Sequence, residues 1–126
     1  MTQKTHDITV AVETMYIEEQ SSPQTDHYVF AYTITIQNTG TVAARLLTRH
    51  WIITDANGKV REVRGEGVVG EQPYLQPLEA FRYTSAAVIE TPFGTMQGSY
   101  QMIGDDGLTF DAPIRAFSLA VPYSLH

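Results

Sequence analysis

Apolar and polar side chains alternate along most of this chain with a period of two, and no window carries the 3.6-residue period of an amphipathic helix of useful length. Residues 7–19 place Ile8, Val10 and Val12 on one parity and Thr9, Ala11 and Glu13 on the other, the pattern of a half-buried strand. Tyr28–Ile36 alternates most cleanly. Tyr28, Phe30, Tyr32, Ile34 and Ile36 share the core parity, and Thr33, Thr35 and Gln37 face water. Val42–Thr54 predicts a third strand with Trp51 in the core. Its parity stays open, because Arg49, Trp51 and Ile53 share one face while Ile52 sits with Thr48, His50 and Thr54 on the other. Further strands are predicted over Lys59–Arg64, Phe81–Ile89 and Met96–Met102, and from Leu108 onward. Pro113 makes the last of these bulged or an edge, and it resumes through Phe117, Leu119 and Val121.

Turn chemistry separates these runs. Asn57-Gly58 is the strongest short hairpin signal, Gly104-Asp105-Asp106-Gly107 predicts another hairpin, and Asn38-Thr39-Gly40 and Thr91-Pro92-Phe93-Gly94 end strands. The segment Glu18–Asp26 has no apolar residue and reads as a surface loop. Seven or eight short strands spaced this way predict an all-β antiparallel sandwich.

Composition narrows the function classes. The 126 residues predict a single domain, 1–126, with an ordered core over about 7–122. With no cysteine, disulfides, zinc-thiolate sites and thiol nucleophiles are excluded. The N-terminal MTQKTHDITV lacks the apolar core of a signal peptide, and no apolar run reaches membrane-spanning length; a cytoplasmic protein with no membrane partner is expected. A net charge of −6 argues against nucleic acid as a partner. Yet Arg45, Arg49, Lys59, Arg61 and Arg64 are five of the eight Lys and Arg residues, so the centre of the chain is locally cationic.

Within that centre, Gly65-Glu66-Gly67-Val68-Val69-Gly70 fits G-x-G-x-x-G. A dinucleotide site needs a buried strand before this motif and a helix after it. Here the preceding strand is charged on alternate positions, and Glu71-Gln72-Pro73-Tyr74-Leu75-Gln76-Pro77 cannot form a helix of any length. Two readings survive. The glycines can permit tight bending at a sandwich end. Alternatively their amides form a nest for phosphate or pyrophosphate beside Arg49, Arg61 or Arg64, with Glu66 and Glu71 suiting a metal–phosphate complex. No cofactor is expected, and no metal site, since His50 and His27 lie in no ligand pattern and Asp105-Asp106 suits a turn. His6 and His126 are expected to be disordered as terminal residues. Ser85 and Ser99 lie in no nucleophile motif, and no enzyme activity is expected. Tyr74 is an expected exposed aromatic; beside Trp51, Arg49 and Arg64 it would give the mixture typical of interface hot spots. The candidate surface is therefore Arg49, His50, Arg61, Arg64, Gly65, Glu66, Gly67, Gly70, Glu71 and Tyr74, with a protein as its expected partner. The exposed 59–64 edge leaves a monomer and an edge-paired homodimer both open.

The run from Arg49 to Pro73, RHWIITDANGKVREVRGEGVVGEQP, resembles the signature of the bacterial ApaG family. Pro77-x-Glu79-x-Phe81-x-Tyr83-x-Ser85, Thr91-Pro92-x-Gly94-x-Met96-x-Gly98-x-Tyr100 and Phe117-x-Leu119 match it as well, so the resemblance covers about Ile8 to Pro122. It implies a fibronectin type III/immunoglobulin-like β-sandwich. It further implies proteins typically encoded beside a diadenosine tetraphosphate hydrolase and associated with cobalt resistance and magnesium efflux. Similar domains in eukaryotic F-box proteins and in a polymerase-interacting protein look like protein-binding modules, and the family lends no catalytic residue. Leu78 departs from the family's usual Gly, Ala86 from another, and Pro113-Ile114-Arg115 reads as a rearranged ending.

Overall fold

A computed structural model describes residues 3–122. They form eight strands: β1 (Ile8–Tyr16), β2 (Tyr28–Asn38), β3 (Ala44–Asp55), β4 (Val60–Glu66), β5 (Tyr74–Leu75), β6 (Ala80–Ile89), β7 (Phe93–Gly104) and β8 (Thr109–Ala120). Two antiparallel sheets result, β1-β2-β6 and β4-β3-β7-β8, with the two-residue β5 added beside the start of β3. The expected sandwich is present. Two single-turn 3-10 segments, Glu18–Gln20 and Pro23–Thr25, occupy the predicted loop.

The alternation read from the sequence sets the layers. Phe30, Tyr32, Ile34 and Ile36 of β2 turn inward, as do Tyr83, Ala87 and Ile89 of β6. They meet Trp51 and Ile53 of β3 and Met96, Tyr100 and Met102 of β7 from the other sheet. Trp51 lies at the centre, edge-on to Tyr32, Tyr100 and Phe117 at ring separations of 5.5–6.3 Å. Asn38, buried at the end of β2, is fully satisfied: its amide donates to the carbonyls of Val42 and Leu75, and its Oδ1 accepts from Gly40 N–H.

The open parity of the third strand has a physical origin. The β3–β7 register slips between Leu46 and Thr48, a bulge that reverses the alternation. Ala44 and Leu46 face inward before it, and Arg49, Trp51 and Ile53 after it. A second slip, between Met96 and Gly98, sets Gln97 against the segment just after Pro113, so β8 is the bulged edge strand that proline predicts.

The two margins of the sandwich differ. At one, β1 packs against β8 across the sheets; at the other, β4 and β6 make no comparable approach. The sandwich is open on the β4/β6 side.

Candidate functional site

The glycine loop is a miniature hairpin. Val68 N–H donates to the Glu71 carbonyl at 2.8 Å and Glu71 N–H returns a bond to Val68 at 2.9 Å, with Val69 (φ 45°) and Gly70 (φ 79°) at the tip. Paired positive φ angles are those of a type I′ turn. Gly67 N–H is also engaged, donating to the Leu47 carbonyl. The loop therefore closes on itself, with two amides of the motif, those of Gly67 and Val68, and that of Glu71 just after it spent on backbone carbonyls. Gly67, at φ 61°, lies so close to the Glu71 carbonyl that no Cβ would fit.

The charged partner that this loop does receive is a cation. Arg49 has the inward parity of Trp51 and sits half-buried at the mouth of the inter-sheet gap. Its Nη1 donates to the carbonyls of Glu66 and Gly67, both at 2.8 Å. Arg61, also of inward parity, reaches across the open margin and donates through Nη2 to the Val88 carbonyl of β6 at 3.2 Å. Lys59 crosses at the far end to Glu90 at 2.8 Å, and this contact raises the pKa of the Lys59 ammonium. Among the described residues no carboxylate pairs with Arg49 or Arg61.

Between the cations runs a groove of three contiguous hollows of about 360, 370 and 280 Å³. Ile53 and Ala87 line its middle, and Tyr32, Trp51, Tyr83 and Ser85 its glycine-loop end. Just beneath, the hydroxyls of Tyr83 and Tyr100 share a buried hydrogen bond of 2.5 Å. Burial, tempered by that bond, pushes Tyr83 up to about 12; burial and then Tyr83 itself push Tyr100 higher still.

The structure splits the sequence-derived candidates over two faces. Arg49, Arg61 and Gly65 face the gap. His50 and Arg64 lie on the outer face, where they stand 3.4 Å and 3.8 Å from the carboxylate of Glu62, which was not among the candidates. The carbonyl of Glu66 belongs to the Arg49 site, and that of Glu71 closes the loop. Tyr74 is exposed as expected but stands elsewhere: its hydroxyl donates to Asp105 at 2.6 Å, which raises its pKa, and the Arg45 guanidinium lies 5.3 Å over its ring. Trp51, 2% exposed, cannot join a surface cluster with it. His6 is held in place by Asp106 at 2.8 Å and by an edge contact with Phe110, contrary to the expected disorder; His126 lies outside the described residues. The Phe81–Ile89 strand was expected and is present as β6, but its part in the site was missed; its Thr84-Ser85-Ala86-Ala87 run of small side chains was the available signal for a shallow edge. Among the described residues no cluster of three or more His, Asp or Glu could hold a metal, and no helix is long and apolar enough to cross a membrane.

Comparison with known proteins places this geometry. The family described as the ApaG domain matches residues 18–104. The chain is 62% identical to Protein ApaG of Methylococcus capsulatus (strain Bath) over 126 residues, all of both chains. It is 63% identical to Protein ApaG of Azoarcus sp. (strain BH72) over 123 residues, 98% of this chain and 97% of that one. Its fold superposes on a crystal structure of an ApaA protein from Bordetella pertussis with a TM-score of 0.92 and 51% identity, covering 96% of this chain and 98% of that one. By sequence and by fold, the chain belongs to the ApaG family.

Proposed function

We propose that this chain is a non-enzymatic, cytoplasmic protein-binding module whose working surface is the open β4/β6 margin with the glycine hairpin at its end. One observation carries the reading. Arg49, Lys59 and Arg61, three of the eight Lys and Arg residues, line a margin where two strand edges are left without a neighbouring strand, with Arg64 on the outer face of the same β4 edge, on a body of net charge −6. Unpaired edges are a hazard that proteins cover or blunt unless they use them, and arginine is enriched at interface anchors. The reading also suits the family's association with cobalt resistance and magnesium efflux, as a link made through a partner rather than through a metal held by this chain.

The alternative, phosphate or pyrophosphate binding at the glycine loop, draws less support. A nest needs free amides, and those of Gly67, Val68 and Glu71 already donate to carbonyls. The Arg49 guanidinium also faces carbonyl oxygens of the loop.

Two measurements separate these readings. Capture from lysate with the wild-type chain and with the Arg61→Glu/Arg64→Glu variant tests the first: recovery of a specific partner should fall severalfold in the variant, and unchanged recovery overturns this surface. Titration with pyrophosphate, ATP and Mg²⁺ tests the second, with backbone amide shifts of Gly65, Gly67 and Gly70 expected to stay flat at millimolar ligand.

A further inference from the structure

The edges of the sandwich are not equally guarded. β8 carries Pro113 and a bulge, β1 lies against β8, and β4 bears Arg61, Glu62, Arg64 and Glu66 in succession. β6 carries only Thr84, Ser85 and Ala86 over its middle, with Arg82 before them. Its hydrogen-bonding phase is fixed by Asn38 N–H, which donates to the Glu79 carbonyl in the β2–β6 register. Antiparallel ladders alternate bonded and unbonded positions, so odd-numbered residues of β6 bond to β2. Arg82, Thr84, Ala86 and Val88 present their N–H and C=O groups to the open margin. The Val88 carbonyl, which accepts from Arg61, agrees with this phase.

Beside that edge, two inward side chains of β6 that line the groove are small. Ser85 stands at the Arg49 end, and Ala87, two residues on, opposes Ile53. Arg49 uses only Nη1 in its two carbonyl bonds. Its remaining N–H groups have no acceptor among the described residues, and since no buried polar side-chain atom lacks a partner, they are open to solvent. A half-buried guanidinium with free donors and no carboxylate partner is a receptor for a carboxylate. The hollows, about 280 and 370 Å³, sit at the low end of small-molecule sites and suit single side chains.

We propose that the outer edge of β6 takes up an extended segment of a partner protein as an added strand, with an acidic side chain on Arg49 and an apolar side chain two residues away in the hollow between Ile53 and Ala87. Strand addition supplies affinity through main-chain bonds and specificity through alternate side chains, so the recognised pattern is an acid and an apolar residue at i and i+2. The inference rests on the protein-binding reading above and deepens it.

A random-peptide display library panned on the full-length chain tests it. The enriched peptides should share the i, i+2 acid–apolar pattern. Replacing the peptide's acid by its amide, or Arg49 by Gln, should each weaken binding about tenfold to a hundredfold, and Arg49→Lys should recover part of the loss. The peptide-side change leaves the protein fold untouched. Methylating backbone nitrogens of alternate peptide residues should abolish binding in one phase and spare it in the other. No enrichment over bare matrix overturns the proposal, as do peptides without the acid, binding indifferent to Arg49→Gln, or indifference to N-methylation. A wild-type dimer that Ala86→Pro dissociates would make the occupant a second copy and equally overturn it. If panning fails while a lysate partner is still captured and released by Arg61→Glu/Arg64→Glu, the strand-addition inference falls and the protein-binding reading stands.

Discussion

Arg49 and Gly65 face each other across the β3–β4 ladder, and the guanidinium of one fills the space left by the missing side chain of the other. A Cβ on Gly65 would fall 2.8 Å from Arg49 Cζ. Gly65→Ala must therefore push the guanidinium off the Glu66 and Gly67 carbonyls. The expected cost is about 1–2 kcal/mol in urea unfolding. In a cycle with Arg49→Gln the double variant should lose at least about 0.5 kcal/mol less than the sum of the singles. Additive losses would show that the glycine does not serve the arginine.

Leu78 occupies a turn position built for glycine. Glu79 N–H donates to the Gln76 carbonyl at 2.9 Å, Pro77 holds the second place, and Leu78 follows at φ 75° with 77% of its surface exposed. This is a type II turn, which favours glycine at its third residue. The left-handed conformation costs an L-residue about 1–2 kcal/mol, and Leu78 has little packing to lose. Leu78→Gly should stabilise the chain by about 0.5–1 kcal/mol once the extra freedom of the unfolded glycine is subtracted. Thermal unfolding checks it; a lower midpoint would mean that the leucine is held by contacts.

The same turn shows how far the sequence could be read. Its family resemblance expects Gly at 78, and the departure appears in the structure as backbone strain at that residue. Strands and core were legible wherever side chains alternate without interruption, as in Tyr28–Ile36. They became ambiguous in Val42–Thr54 because a bulge at Leu47 changes which parity faces inward, and no local residue type announces it. The candidate site was half legible. Arg49 and the glycines could be seen as neighbours in sequence. That the loop turns carbonyls toward the arginine depends on Val69 and Gly70 both adopting positive φ, which a β-branched residue at 69 conceals. The β6 side of the groove depends on strand order, a long-range property that periodicity does not carry.

The Tyr83–Tyr100 pair predicts an alkaline limit to stability. The Tyr83 hydroxyl ionises near 12 in the folded chain against an ordinary value of 10, and Tyr100 is raised in the same direction. A raised folded value means that the folded chain keeps its proton where the unfolded chain has lost it. The contribution is whole below pH 10 and disappears as pH climbs through about 12. Urea midpoints should fall steadily across that window, with tyrosinate absorbance from the pair rising in step with unfolding. The Tyr83→Phe/Tyr100→Phe variant should flatten the slope. An unchanged slope would assign alkaline unfolding to other groups.

Gly98 tests whether close approach between β3 and β7 sets the centre of the sandwich. It pairs with Trp51, and a Cβ there would overlap the His50 carbonyl and lie 3.2 Å from Trp51 Cα. Backbone cannot swing aside as the end of a side chain can, so Gly98→Ala must part the two strands beside the register slip at Met96/Gly98. The expected cost is about 3 kcal/mol. The emission of Trp51, the only tryptophan, should shift to the red as its buried ring gains water. Gly107→Ala provides the contrast, since a Cβ there meets nothing within 4 Å and the strain comes from φ 81° alone. Its cost should stay near 1 kcal/mol with the Trp51 emission unmoved. Equal losses at the two sites would mean that backbone conformation, rather than the crowding of β3 against β7, governs both glycines.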